Sequence, residues 1–254
     1  MYLTGRIVVE AAGRSLEQED LPGRQGRVAL ARLTLARSQP LPREALAATL
    51  WPDDPPAALD VALSAVISKI RSGFAKIGLV GVLRSAAGCY ELRLPPDSWI
   101  DVEVGASELD RAEGALRREQ VERAWASATV AHAILRRPFL PGDDTEWVAR
   151  QRARLNAQHL RASDCLAEAW LRRGQGALAQ HVAEAAIAIA PLREANYRLL
   201  MRAHLAQGNR SDALLAFHRC RDALVDELGV DPSPETQAVF AAALRVEPES
   251  AQNS

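Results

Sequence analysis

The spacing of the hydrophobic positions changes along the first forty residues. Apolar and polar residues alternate over positions 2–9, and a second short segment, residues 15–19, precedes the Leu-Pro-Gly sequence at 21–23. This pattern predicts short strands that are joined by a turn. From Arg24 the apolar residues recur at helical spacing, and they continue to do so until about Arg37. The chain therefore opens with a small β element and an amphipathic helix.

Two more helices and a hairpin are predicted next. Residues 42–51 form a short amphipathic pattern that stops at the proline-rich segment 52–56, and residues 57–77 form a longer one with no internal proline. After Gly78, the apolar residues 79–83, the small and polar residues 84–88 and the alternating residues 89–94 predict a β-hairpin. Strands, three helices and a hairpin in this order are typical of a winged helix-turn-helix.

The second half of the chain has a different composition and an internal repeat. Beyond Trp99 the residues are mostly Ala, Leu, Arg and Glu, which predicts helices only. Similar positions also recur after 34 residues, which is the tetratricopeptide period. The matched pairs are Leu166 with Leu200, Trp170 with His204, Gly174 with Gly208, Ala179 with Ala213, and Ala186 with Cys220. These positions predict stacked pairs of helices.

The predicted fold is mainly α and has two domains. The Pro-Pro-Asp sequence at 95–97 marks the boundary. We expect a winged helix-turn-helix DNA-binding domain with small β elements at 1–96 and an all-α, tetratricopeptide-like helical-repeat domain at 97–246. A frayed tail is expected at 247–254.

Overall charge and composition disfavour a membrane protein, a secreted protein and a protein that binds nucleic acid through its overall charge. The formal net charge of the 254 residues is -1, so binding to a nucleic acid requires a local basic patch. The start of the chain does not resemble a secretory signal, and no apolar run is long enough to cross a bilayer. We therefore expect a cytoplasmic protein without a membrane partner. Its three cysteines lack the paired spacing of a zinc site or a disulfide framework.

The polar face of the third predicted helix is the candidate binding site. In a helix-turn-helix, this helix places polar side chains on base edges in the major groove while nearby cations hold phosphates. A β-hairpin that follows it supplies contacts to the backbone or the minor groove. The groove-facing candidates are Ser64, Ser68, Lys69, Arg71 and Ser72. The candidates at the hairpin tip are Arg84 and Ser85. The plainer interpretation is a solvated helix face and a polar turn.

Other clusters of reactive residues have simpler explanations. His204, His218 and Cys220 are near one another in sequence, but their spacing does not suit zinc and two of them fall on packing positions of the repeat. The Asp-Asp pairs at 53–54 and 143–144 lie in turns, where aspartate bonds to the local backbone. No nucleophile, base and orienting group can be named together. We therefore expect no enzyme, no catalytic residue, no metal site and no cofactor.

Several segments resemble one known family. Residues 203–234 read AHLAQGNRSDALLAFHRCRDALVDELGVDPSP, and residues 139–143 with 146–148 read FLPGD and EWV. Both are similar to the bacterial transcriptional activator domain of the Streptomyces antibiotic regulatory proteins. Residues 46–56 resemble the second helix and turn of the winged-helix domain in that family, and residues 67–71, ISKIR, resemble its recognition helix. The likeness covers nearly the whole chain.

The resemblance implies a transcriptional activator. Members of this family bind side by side to direct repeats in promoter DNA, and they recruit RNA polymerase through its sigma factor and other subunits. Because few cations are available on the candidate face, we expect one copy to bind DNA weakly and its affinity to fall as salt rises. We therefore expect a homodimer, at least on double-stranded promoter DNA.

A second function class remains open. The chain could keep this fold without binding DNA and act as a protein-interaction adaptor that controls another regulator through its helical repeats. The near-neutral net charge favours this alternative. So does Cys89, which stands where the family usually has a glycine before the tyrosine of the wing, here Tyr90.

Overall fold

A computed structural model describes residues 1–37 and 39–245, so the tail predicted at 247–254 lies outside the described residues. The protein is mainly helical and has a few short strands. The helices are α1 (Gly23–Leu35), α2 (Arg43–Leu50), α3 (Leu59–Lys76), α4 (Asp101–Arg117), α5 (Val121–Leu135), α6 (Glu146–Arg172), α7 (Gly176–Ile189), α8 (Glu194–Leu205), α9 (Arg210–Leu228) and α10 (Pro234–Arg245). The strands are β1 (Val8–Ala11), β2 (Arg14–Glu17), β3 (Leu41–Pro42), β4 (Leu83–Ala86) and β5 (Cys89–Leu92). None of these helices combines the length and apolar character that a membrane span requires.

The described chain forms two compact units. The first comprises residues 1–105 and 134–157, and the second comprises residues 106–133 and the described residues from Gln158 onward. The chain passes between the units inside α4, α5 and α6. Residues 134–157, which the sequence analysis assigns to the second domain, thus pack in the first unit. The domain boundary near residue 96 stays a prediction.

The first unit is built around α1. Its buried side packs on α2 and α3, and Leu30, Leu46, Ile67 and Ile70 are each no more than 1% exposed. These positions are the ones that helical periodicity marks as apolar, so burial of this face stabilises the three helices against one another. Two antiparallel sheets flank the helices, with strand orders β1-β2 and β3-β5-β4.

The turn of the β4–β5 hairpin lies later in the chain than the sequence analysis predicts. Two residues form the turn, Ala87 with φ 49° and Gly88 with φ 75°. Such two-residue turns match the twist of the paired strands, so pairing continues up to the turn. Strand β4 consequently reaches Ala86, and Arg84 and Ser85 lie inside this strand rather than at the hairpin tip.

A buried carboxylate links residues 134–157 to α1 of the first unit. Asp143 is 2% exposed and accepts hydrogen bonds from the amide and hydroxyl of Thr145 and from Nε of Arg24 on α1. Nearby, the amide of Gly5 donates to the carbonyl of Pro138 at 2.7 Å. Asp143 ends a turn that begins at Leu140, since its amide donates to the Leu140 carbonyl at 3.3 Å, and it also makes a long-range ion pair with Arg24.

In the second unit, positions that are 34 residues apart resemble each other in burial or in backbone conformation. Leu166 and Leu200 are 6% and 0% exposed, and Ala179 and Ala213 are both fully buried. Two further positions, Gly174 and Gly208, follow α6 and α8 with φ values of 70° and 75°. A left-handed residue after a helix favours glycine, because a Cβ atom is strained there. His204 and Cys220 are 8% and 0% exposed.

Candidate nucleic-acid interface

Helix α3 presents one apolar face to the core and one polar face to solvent. Leu63, Ile67, Ile70 and Phe74 are each no more than 1% exposed, and they anchor the helix. All five of the groove-facing candidates lie on the opposite, exposed face. They are Ser64, Ser68, Lys69, Arg71 and Ser72. The structure therefore brings these five side chains together on one surface.

The two cations of this set lie at opposite edges of the exposed face. Positions two residues apart on a helix are separated by about 160° around its axis, which places Lys69 and Arg71 on different sides with Ser68 between them. Lys69 borders an open groove of about 580 Å³ that is also lined by Gln25 and Trp51. Arg71 faces the β4–β5 hairpin.

Lys69 and Lys76 are the only lysines of the chain, and both lie on α3. They are seven residues apart, and two helical turns bring them to the same side of the helix. Within the part of the chain that the structure describes, neither ammonium group has a hydrogen bond or a salt bridge. Both charges are therefore available to an anionic ligand such as a phosphate.

The hairpin carries both signs of charge. Arg84 pairs across the ladder with Glu91, and the nearby Arg93 makes a salt bridge to Glu91 at 2.7 Å. The hydrogen bond from Arg93 lowers the pKa of the Glu91 carboxyl, and the positive charges of Arg93 and Arg84 act in the same direction. Arg84 itself donates a long 3.3 Å hydrogen bond to the carbonyl of Gly81. It is the exposed cation of β4.

Arg43 is a structural partner of the hairpin that the sequence analysis missed. Its backbone amide donates to the Gly88 carbonyl at 3.0 Å, and its guanidinium lies 5.4 Å from the centre of the Tyr90 ring. The same guanidinium makes a 3.1 Å salt bridge with Asp60 at the start of α3. Strand β3, which directly precedes Arg43, was not predicted from the sequence. It has two residues, and two residues are too few to show the alternation that indicates a strand.

The arrangement suits binding to a duplex. An α-helix fits the major groove of B-DNA, and hydroxyl groups of serine can bond to base edges. Lysine and arginine side chains at the edges of the same face can contact the phosphates on either side.

Among residues 1–37 and 39–245 no three or more His, Cys, Asp or Glu side chains form a group that could hold a metal ion.

The sequence matches a family described as the bacterial transcriptional activator domain over residues 100–244. It is 29% identical to the transcriptional regulatory protein EmbR of Mycobacterium tuberculosis over 231 residues, which are 90% of this chain and 59% of EmbR. It is 30% identical to the regulatory protein AfsR of Streptomyces coelicolor over 237 residues, which are 91% of this chain and 23% of AfsR. The chain thus spans about three fifths of one relative and a quarter of the other.

Two further similarities extend over most of the chain. The regulatory protein DnrI of Streptomyces peucetius is 31% identical over 238 residues, which are 89% of this chain and 85% of DnrI. A solved structure of Mycobacterium tuberculosis EmbR in complex with a low-affinity phosphopeptide superposes with a TM-score of 0.87 at 26% identity. That superposition covers 97% of this chain and 65% of the EmbR chain.

Proposed function

Because this chain belongs to the bacterial transcriptional activator domain family, we propose that it is a DNA-binding transcriptional regulator that activates promoters. The observation that carries this proposal is the exposed face of α3, where three serines lie between Lys69 and Arg71. The names of the relatives support the regulatory role, since EmbR, AfsR and DnrI are all regulatory proteins.

We assign the fold of each region from the order of its elements. Helices α2 and α3 form the helix-turn-helix, α3 is the recognition helix, and the β4–β5 hairpin is the wing. The helix pairs α6–α7 and α8–α9 form tetratricopeptide-like repeats. The burial of Leu166 together with Leu200, and of Ala179 together with Ala213, supports this assignment. In this assignment the DNA contacts are made by Ser64, Ser68, Lys69, Arg71, Ser72, Arg84 and Ser85.

We propose two partners for this chain besides DNA: a second copy of itself and RNA polymerase. One copy of α3 and its wing offers few phosphate contacts, so we propose that two copies bind side by side on promoter DNA in the cytoplasm. We also propose that RNA polymerase is the protein partner, through its sigma factor and other subunits. Stacked helix pairs expose an extended surface that suits such a contact.

Selection of duplexes from a randomised library by the unmodified chain at low salt tests DNA binding, and fluorescence anisotropy then measures affinity for the selected duplex. We expect Lys69→Ala to weaken binding about tenfold and to lower the slope of log K against log salt by about 0.9, the value for one lost phosphate contact. Arg219→Ala is the matched control, because Arg219 is an exposed cation on α9. It should bind like the unmodified chain.

The duplex selection, combined with a protein-capture assay, separates the regulator from the adaptor. A chain that selects no duplex, yet still captures purified RNA polymerase or another regulator, is an adaptor. Equal affinities of the Lys69→Ala and Arg219→Ala variants would show that the exposed face of α3 is not the contact surface.

A further inference from the structure

Arg71 makes two hydrogen bonds that cross from the recognition helix to the wing. Its Nε donates to the backbone carbonyl of Leu83 at 2.9 Å, and its Nη2 donates to Oγ of Ser85 at 2.6 Å. Leu83 and Ser85 are the first and third residues of β4. The planar guanidinium of Arg71 thus bonds to two residues of strand β4 at the same time.

The two acceptors of Arg71 are neutral, whereas two other arginines near the hairpin are paired with carboxylates. Arg43 and Arg93 both form salt bridges, to Asp60 and Glu91, so an adjacent carboxylate offsets their charge. Arg71 has no salt bridge within the described residues, and its charge remains uncompensated although its position is fixed. Its Nη1 group carries two further N–H donors, and no hydrogen bond within the described residues engages them.

We propose that Arg71 is a positioning residue that locks the wing to the recognition helix in the arrangement in which both reach the same duplex. The proposal rests on the proposed function and deepens it, because it gives Arg71 a role distinct from that of Lys69. Lys69 contributes charge alone. Arg71 contributes charge and also fixes the distance between α3 and β4 before DNA arrives.

Substitution by lysine separates these two contributions. A lysine at position 71 keeps the positive charge and can still contact a phosphate. It lacks the planar fork, so it cannot hold the Leu83 carbonyl and the Ser85 hydroxyl together. A residue that only contacts phosphate tolerates this change, and a residue that positions the wing does not.

The first measurement needs no DNA. Amide hydrogen exchange of residues 83–92 is compared in the unmodified chain and in the Arg71→Lys, Ser85→Ala and Arg219→Lys variants. We expect exchange to be about tenfold faster in Arg71→Lys and less accelerated in Ser85→Ala, because loss of tertiary bonds makes local opening easier. Arg219→Lys, the same substitution at an exposed site of α9, should not change it. Unchanged exchange in Arg71→Lys would overturn the proposal.

The second measurement is affinity for the selected duplex across a series of salt concentrations. We expect Arg71→Lys to bind about tenfold more weakly at every salt concentration with an unchanged slope, because its charge is retained. Arg71→Ala should lose affinity and slope together. Wild-type affinity in Arg71→Lys would mean that Arg71 acts by charge alone. A chain that selects no duplex refutes the proposed function, and the exchange measurement still decides whether Arg71 holds the hairpin.

Discussion

The Asp101 carboxylate and Thr4 are joined by two hydrogen bonds although 97 residues separate them. The hydroxyl of Thr4 donates at 2.7 Å and its amide at 2.9 Å, both to Oδ2 of Asp101. The other oxygen accepts from the amides of Leu3 and Val102 at 2.9 and 2.8 Å. The fully buried first residue of α4 is thereby bonded to the start of the chain.

Replacement of this carboxylate should destabilise the first unit. In Asp101→Asn an amide N–H₂ group replaces one acceptor oxygen and faces backbone donors, so buried donors lose their partners. We expect a loss of about 3 kcal/mol in the free energy of unfolding, measured by urea denaturation followed by circular dichroism. Asp97→Asn, at an exposed position of the same unit, is the control and should unfold at the wild-type urea concentration. Equal midpoints of the two variants would contradict this prediction.

The same substitution should have opposite effects at two helical glycines. A Cβ atom on Gly26 of α1 would lie 2.3 Å from Cδ of Pro22, whose ring cannot move aside. A Cβ atom on Gly114 of α4 would lie 3.3 Å from Nη2 of Arg118, the mobile end of a long side chain. We expect Gly26→Ala to cost about 2 kcal/mol through overpacking and Gly114→Ala to gain about 0.8 kcal/mol through helix propensity. Melting temperatures test both, and changes of the same sign would refute the close contact at Gly26.

The Asp143 carboxyl should make stability depend on pH. Burial by itself raises the pKa of Asp143, but the hydrogen bonds from Thr145 and from Arg24 outweigh burial and hold this pKa below its ordinary value. An unfolded aspartate titrates near about 3.9. The stabilisation is therefore complete above about pH 4 and is lost as the pH falls through the lower pKa of the folded chain.

Removal of one donor tests this pH dependence. Thr145→Val deletes the hydroxyl that donates to Asp143. We expect its urea midpoint to lie below the wild-type midpoint at pH 7. The difference should shrink as the pH falls below about 4 and through the lowered pKa of folded Asp143, because a protonated Asp143 no longer depends on this donor in either protein. Thr129→Val removes a hydroxyl that donates to a backbone carbonyl instead, that of Trp125. Its difference from wild type should not change with pH, and a constant difference for Thr145→Val would count against the prediction.

The three cysteines should differ in reactivity. Burial raises the pKa of Cys165 to about 12 and the pKa of Cys220 to about 11. At pH 8 only about one molecule in ten thousand and one in a thousand, respectively, carries the reactive thiolate. Cys89 is half-exposed on β5. Iodoacetamide should therefore label Cys89 alone in the native chain and all three after denaturation, as peptide mass spectrometry can determine. Native labelling of Cys165 at the rate of Cys89 would refute the burial of this thiol.

The first three helices could be predicted one by one because their signals are local. The apolar spacing of residues 57–77 predicted α3 to within two residues at the start and one at the end, and the same spacing indicated which face is exposed. The hairpin was predicted too, but its turn was misplaced. Small residues in 84–88 resembled a long loop, whereas Ala87 and Gly88 suffice for the turn.

Contacts between distant segments could not be predicted from these patterns. Nothing near Asp101 indicates Thr4, and nothing near Arg71 indicates Ser85. Residues 134–157 are joined to α1 of the first unit by a bond of the same kind, between Asp143 and Arg24. The partner of each of these polar groups depends on how the apolar faces pack, which no local pattern shows.

The sequence by itself determined the helices, the exposed face of α3 and the 34-residue repeat, because each depends on side-chain spacing within one element or between equivalent elements. The tertiary structure alone decided that Arg71 bonds to strand β4, whereas the side chain of Lys69 makes no hydrogen bond or salt bridge among residues 1–37 and 39–245. Two cations that are alike in sequence become different because a hydrogen bond requires a particular acceptor at about 3 Å, and only the packing of β4 against α3 supplies one.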